Sequence, residues 1–279
     1  MVDNLPPTSK VGEIAISNLH LTPREQATVE LYADLHRHAS DTYALEYLLP
    51  GFRQHLLALG LIPETAIHGM RVLDAGCGGF AGGAAVAVAL GAGSVTAIDL
   101  SDANIRSAAK RFAGVPNACF RVETLLDIQM PSEQFDFVYS VGVLMITEDP
   151  ERAFREIVRL VKPGGRIYIG VYGRGGLFNE VAVPVMKLAG CIIPRSLMAR
   201  VLRFTPWLLK PSTSLMDFMY VPIEIHYRIA EIEAWFIRAC LTPTFLRHPY
   251  QPDTWWNRLL FGDGTMIFFS AVKPCQSTN

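Results

Sequence analysis

Val72-Leu73-Asp74-Ala75-Gly76-Cys77-Gly78-Gly79 is the stretch from which the fold can be read. An apolar run that ends in an acid, turns on glycines and continues into Ala81–Leu90 predicts a buried strand, a tight turn and a helix folded back on it. Moving outward, the same rhythm recurs. Strands are expected at Arg71–Asp74, Ser94–Asp99, Cys119–Val122, Phe135–Ser140 and Arg166–Tyr172. Between them, Ser101 caps a helix carrying Ile105, Ala109 and Phe112, and Asp149-Pro150 opens another with Phe154, Ile157, Val158 and Val161 on one side. Lys162-Pro163-Gly164-Gly165 is expected to end that helix before the fifth strand. Strands alternating with amphipathic helices predict a parallel sheet covered on both faces, a doubly wound α/β domain.

The flanks differ in texture. Thr22-Pro23-Arg24-Glu25 has the form of a capping box and predicts a helix to about Ala39; Ser40-Asp41 reads as a second start, and Phe52, His55, Leu56 and Leu59 recur at helical spacing before Gly60. Residues 173–240 break the βα rhythm with glycines, prolines and large apolar side chains, among them Phe178, Met186, Trp207, Met216, Phe218 and Met219. A helix at about Ile229–Cys240, a strand near Thr242–Arg247 and a last strand at Thr265–Val272 follow. The expected organisation is a helical N-terminal lid (1–69), a core (70–172), an inserted cap (173–240) and closing strands (241–279).

Composition narrows the function. Of 279 residues, half are hydrophobic and 18% are charged, a globular composition. A formal charge of −1 gives no broad attraction for phosphate backbones, so nucleic acid is not expected as a partner. Five scattered cysteines without a C-x-x-C pair suggest neither a disulfide framework nor zinc; they read as reduced thiols in a cytoplasmic protein. Met1–Lys10 lacks the apolar run of a signal peptide, and Val181–Pro194 is too short and too interrupted to span a bilayer. His36 and His38, two apart on a helix, face different ways and do not suit a metal.

Asp74 and Asp99 end the first two strands on either side of the glycine turn. In parallel sheets, ligands bind beyond the carboxyl ends of the strands, and an acid at Asp99 is spaced to hold a ribose hydroxyl. A pyrophosphate at the helix N-terminus would be repelled by Asp74, which argues against a dinucleotide. A cationic sulfonium and an amino group would be attracted.

Val72–Gly79, Asp99, Phe135-Asp136-Phe137-Val138 and Leu160-Val161-Lys162-Pro163-Gly164-Gly165 resemble, in order and spacing, the successive signature segments of class I methyltransferases that use S-adenosylmethionine (SAM). The resemblance covers residues 70–172 closely and the chain after residue 228 more loosely. It implies a Rossmann-like, mainly parallel seven-stranded sheet with an antiparallel last strand. It further implies that Asp74, Ala75, Gly76, Cys77 and Gly78 line the methionine part of SAM, that Asp99 holds the ribose and that Leu100 packs on adenine. Ser140 would border the transferring methyl. Where many relatives have an acid for the adenine amino group this chain has Thr124, which leaves the Leu125 backbone N–H as the adenine contact.

Relatives with a histidine after the fourth strand have no counterpart here, where the run is Val143-Leu144-Met145-Ile146. His226, in Glu224-Ile225-His226-Tyr227, is the candidate base or substrate-orienting donor, with a helix-capping or packing role as the alternative. Tyr172 either lines the acceptor cavity or serves the core, and Tyr32 and Tyr43 either contact SAM from the lid or pack on the sheet. Gly173-Arg174-Gly175-Gly176 lacks the lysine and hydroxyl of a phosphate loop and reads as a hinge to the cap. The cap's methionines and aromatics fit either a hydrophobic or aromatic small-molecule acceptor or a homodimer interface. The expected activity is methyl transfer to oxygen, nitrogen or carbon of a small metabolite; the rivals are a non-catalytic SAM-binding module and an NAD(P)-dependent oxidoreductase.

Overall fold

The computed structural model describes residues 21–35, 44–204 and 212–275. Met1–Lys10, His36, His38, Ser40, Asp41, Tyr43 and Trp207 lie outside the described residues. The expected capping box forms: the Thr22 N–H donates to Glu25 Oε2 (2.9 Å) and the Glu25 N–H to Thr22 Oγ1 (3.2 Å), opening α1 (Pro23–Leu35). A π-helical turn, Ala44–Leu48, runs into α2 (Leu49–Ala58).

Then follow β1 (Arg71–Ala75), α3 (Gly82–Ala89), β2 (Ser94–Asp99), α4 (Asp102–Arg111), β3 (Ala118–Val122), β4 (Phe135–Val141), α5 (Pro150–Leu160) and β5 (Val161–Tyr172). The insert holds α6 (Val183–Ile192), α7 (Arg195–Phe204) and α8 (Ser212–Tyr220), and the chain closes with α9 (Ile229–Arg238), β6 (Thr244–Leu246), α10 (Trp255–Phe261) and β7 (Met266–Val272). Strand order is β3-β2-β1-β4-β5-β7-β6, with only β7 running against the rest. The order turns back at β1 and β4, which places the crevice beyond the ends of those strands.

Alternation along β1 divides the core. Leu73 joins a cluster with Ile98, Phe154, Ile157, Phe236 and Phe269, whereas Val72 joins Val95, Ala84, Phe137 and the α2 residues Phe52 and Leu56 on the other face. His55 fastens α2 to the sheet: Nδ1 lies 2.6 Å from the Tyr168 hydroxyl and Nε2 2.8 Å from the Arg247 carbonyl oxygen. Burial holds this imidazole below its usual range, outweighing the carbonyl. α2 is thus part of the sheet's packing, and α1 is the N-terminal element that reaches the crevice.

Two elements differ from expectation. β5 begins at Val161, five residues early, because Val161 pairs with Phe135 across a bulge and the Gly164 N–H donates to the Lys273 carbonyl (2.8 Å). α10 was not expected: Thr254 caps it by accepting from the Asn257 N–H (3.2 Å), but it is seven residues long and buries none of them. Without an inward face it leaves no periodic signal. No helix among the described residues is long and apolar enough to cross a membrane.

Candidate active site

Beyond β1, β2 and β4 lies a cavity of about 950 Å³, open solvent at its mouth included, lined by the glycine turn, Phe80 ahead of α3, the start of α4, the segments after β3 and β4, and one face of α1. Gly76, Cys77, Gly78, Asp99, Leu100, Thr124 and Leu125 are on its wall. Asp74, Ala75 and Ser140 stand behind it: Asp74 is buried with Oδ2 accepting from the Ala84 N–H (2.7 Å), and the Ser140 hydroxyl donates to the Ala75 carbonyl (2.9 Å).

The first bond explains the acid. Ala81 before α3 is left-handed and offers no side-chain cap, so Asp74 satisfies a free N–H of the helix's first turn from the neighbouring strand. Burial dominates that favourable bond and, with Asp99 nearby, lifts the Asp74 carboxyl to about 7.

The turn's amides are engaged within the protein. Gly76 and Cys77 N–H donate to the Ile98 carbonyl (2.8 and 2.9 Å), and Gly78 N–H donates to Asp99 Oδ2 (2.9 Å). The other Asp99 oxygen accepts from Ser101 N–H (2.9 Å) and Asn104 Nδ2 (3.1 Å). A pyrophosphate would find a carboxylate where it needs donors, so the turn does not suit a dinucleotide. It suits a neutral ribose and a cationic sulfur compound: Gly76 has φ +88°, and a Cβ there would come within 2.4 Å of both Val143 methyls, so this cradle exists only without a side chain.

The lid contributes Tyr32, which the sequence offered as a lid residue, and also Glu25, Thr28 and Val29, for which it gave no such sign. Glu25, Thr28, Val29 and Tyr32 line the cavity from α1, and their spacing of three, four and seven marks one helix face. Tyr32 also reaches into the cap. Its hydroxyl donates to one oxygen of Asp217 on α8, and the Tyr172 hydroxyl donates to the other. Burial raises the Asp217 carboxyl although both phenols pull it down, and burial together with Asp217 raises Tyr32 well above the usual phenol range.

Tyr172 and His226 are not on the cavity wall. Their rings stack 5.5 Å apart behind Asp217, with His226 Nδ1 2.9 Å from the Gly173 carbonyl oxygen and Nε2 2.8 Å from Glu224 Oε1. Burial pulls His226 down, but Glu224 and the Gly173 carbonyl outweigh it and leave the imidazole raised. Lys187 Nζ lies 2.6 Å from the other Glu224 oxygen. One polar network thus joins lid, core and cap.

A family profile described as a methyltransferase domain matches residues 73–169. A ubiquinone biosynthesis O-methyltransferase of Pseudomonas syringae pv. tomato is 30% identical over 187 residues, 62% of this chain and 79% of that protein. An arsenite methyltransferase of Aquipseudomonas alcaligenes is 30% identical over 145 residues, 48% of this chain but only 42% of its own length. Among solved structures, the fold is similar to magnesium protoporphyrin IX methyltransferase from Synechocystis PCC 6803 with bound S-adenosylhomocysteine (SAH), at TM-score 0.54 and 15% identity over 90% of this chain and 97% of that one. It is equally similar to a Burkholderia thailandensis 1,6-didemethyltoxoflavin-N1-methyltransferase, at TM-score 0.54 and 16% identity over 93% of each chain. With the β3-β2-β1-β4-β5-β7-β6 sheet, the glycine cradle and these similarities together, the chain belongs to the class I SAM-dependent methyltransferases.

Proposed function

We propose that the chain transfers a methyl group to the hydroxyl of a small, apolar, aromatic metabolite. The observation that carries this reading is Tyr32: its ring is on the cavity wall and its hydroxyl rests on the buried Asp217. The wall combines apolar Val29, Val141, Val143 and Ile146 with polar Asp99 and Asn104. The O-methyltransferase similarity supports oxygen as the acceptor atom.

In this reading Asp99 accepts the ribose hydroxyls, Leu100 packs on adenine, the Leu125 N–H meets the ring edge beside Thr124, and Gly76, Cys77 and Gly78 let the methionine part lie against the backbone. Asp74, Ala75 and Ser140 support that wall from behind. SAM, when bound, supplies an electrophilic methyl on a positively charged sulfur. The protein's part is orientation and proton handling. The acceptor hydroxyl bonds to Tyr32; its proton passes to the Tyr32 oxygen as the Tyr32 proton passes to Asp217. The relay leaves a neutral carboxyl in a site where burial disfavours the anion. Tyr172 and His226 position Asp217 and the cap.

Incubating the protein with methyl-labelled SAM and a panel of simple phenols and catechols, followed by mass spectrometry, is expected to give a labelled methyl ether. SAH binding without any labelled product would instead favour a non-catalytic binding module, and label on nitrogen or carbon would move the acceptor atom. Asp217→Asn is expected to lower turnover about tenfold, less than a positioned base contributes in full, because asparagine keeps one oxygen that accepts from a phenol. SAH affinity should stay within about threefold, since Asp217 is not on the cavity wall. Unchanged turnover in Asp217→Asn would remove the relay, and unchanged turnover in His226→Ala would confine that histidine to packing.

A further inference from the structure

The cap turns an apolar seam outward. Leu177, Val181, Val185, Leu188 and Ile192, spaced four, four, three and four apart through the helical turn 178–182 and α6, are 51, 54, 60, 64 and 74% exposed. That spacing draws one line along a helix. The other side of α6 is already used: Val183 is buried, and a Cβ at Gly190 would fall 2.2 Å from the Met219 carbonyl oxygen of α8. The seam is therefore a second apolar face, and it points away from the helix that carries Asp217.

Neighbouring elements also carry exposed apolar residues. On α7, Leu197 and Val201 are exposed four residues apart. At the other end, Phe261 of α10 lies 5.9 Å from Phe178, and α10 presents Trp255 and Trp256, stacked at 3.9 Å, with Leu259 and Leu260. More than half of the large apolar side chains exposed among the described residues sit on these elements. Scattered exposed leucines are ordinary, but a continuous seam marks an interaction surface.

Charge selects the occupant. From Val181 to Met216 the sequence has no Asp or Glu, and its charged residues are Lys187, Arg195, Arg200, Arg203 and Lys210. Lys187 turns inward to Glu224 and Arg195 reaches the Glu30 and Leu31 carbonyls of α1, whereas Arg200 is exposed and the α7 sequence has no acid. The acids at the border are matched: Glu180 lies 3.5 Å from Arg174, and Asp253 lies 3.2 Å from Arg247 and 2.6 Å from Arg258. In a two-fold contact the same patch serves both subunits, so the exposed Arg200 would add to a surface whose surrounding sequence is of its own sign. An anionic bilayer offers the opposite sign and accepts leucines, valines and tryptophans at the depth of its headgroups.

We propose that this face, α6 and α7 with α10, lays the enzyme on the surface of an anionic lipid bilayer. The binding is peripheral, since no described helix is long and apolar enough to span. It needs neither a bound cofactor nor turnover, so it stands or falls independently of the acceptor.

The test is flotation of the full chain with vesicles of phosphatidylcholine alone and of equal parts phosphatidylcholine and phosphatidylglycerol. The protein is expected to float with the mixed vesicles, to do so less with phosphatidylcholine alone, and to be released by salt. Val185→Glu, Leu188→Glu and Ile192→Glu together should cut binding about tenfold or more, and Arg200→Glu should weaken binding to the mixed vesicles alone. None of these residues is on the cavity wall, so unchanged SAH affinity reports that the variants fold. Absence of flotation with either vesicle, or flotation indifferent to the triple variant, overturns the proposal. A dimer by light scattering that the triple variant dissolves, without lipid binding, would assign the seam to a second copy of this chain.

Discussion

Replacing Gly76 with alanine is expected to weaken SAH binding about 100-fold and to lower Tm by about 8 °C, the largest loss from adding a single methyl anywhere in the turn. Gly76 sits at φ +88°, where an L side chain costs about 1–2 kcal/mol. Its Cβ would lie 2.4 Å from both Val143 methyls, and Val143 itself packs against the buried core. Forcing atoms into a packed interior typically costs about 1–3 kcal/mol. A combined loss near 4 kcal/mol corresponds to about 8 °C in a chain of this size.

The turn can escape only by moving, and its N–H is bonded to the Ile98 carbonyl at 2.8 Å, so movement loosens the join between β1 and β2 at the wall of the cavity. A displacement of about 1 Å in a positioning element is enough for a hundredfold effect. Adding Val143→Ala should restore the part that is steric and leave the part that is backbone. Titration calorimetry and scanning calorimetry of both variants check this, and a Gly76→Ala protein that binds SAH within threefold of the parent would remove the glycine cradle from the site.

What could be read from the sequence follows the range of the interactions. The five parallel strands were legible because each buried strand repeats a local pattern, and Ser94–Asp99 matches β2 residue for residue. Thr22 with Glu25, Ser101 and Asp149 announced their helices through bonds spanning three residues. The start of β5 was not legible, since Val161 becomes a strand residue by pairing with Phe135 and not by any property of Lys162-Pro163-Gly164-Gly165.

The site divides in the same way. Gly76 and Gly78 share one turn and Asp99 ends the next strand, so a single βαβ unit brings them together. Asp217 was missed because it meets Tyr32 across 185 residues and Tyr172 across 45, and nothing in Ser214-Leu215-Met216-Asp217 anticipates either phenol. His226 and Tyr172 were each read as either a cavity group or a packing group, and the fold stacks them on one another off the cavity wall. The physical reason is the cap: α8 inserts between β5 and α1, and its docking is decided by apolar residues whose partners the sequence does not name.

Asp74→Asn is expected to stabilise the ligand-free protein at pH 8, by about 8 °C in Tm at most, and to do nothing at pH 4. The sign follows from where the proton is held. Asp74 is buried, and its carboxyl is lifted from 3.8 to about 7, mainly by burial. The folded state therefore keeps a proton that the unfolded chain releases near pH 4, and each pH unit between the two values costs the folded state about 1.4 kcal/mol. This group's contribution is intact below pH 3.8, declines as pH rises, and is fully lost above about 7, for a total of roughly 4 kcal/mol. The opposite trend comes from the imidazoles: His55 is held low, and His248 is pushed down by burial to about 4, so both destabilise the fold on the acid side. Wild-type stability alone mixes the two. The difference between variant and wild type cancels the histidines, and it should rise between pH 4 and 7 and stay level above. Asparagine keeps an oxygen for the Ala84 N–H, so the start of α3 remains capped. Thermal melts of both proteins across that window decide it: a difference that is flat with pH would mean that Asp74 is ionised throughout, with the helix N-terminus and not burial in control of its charge.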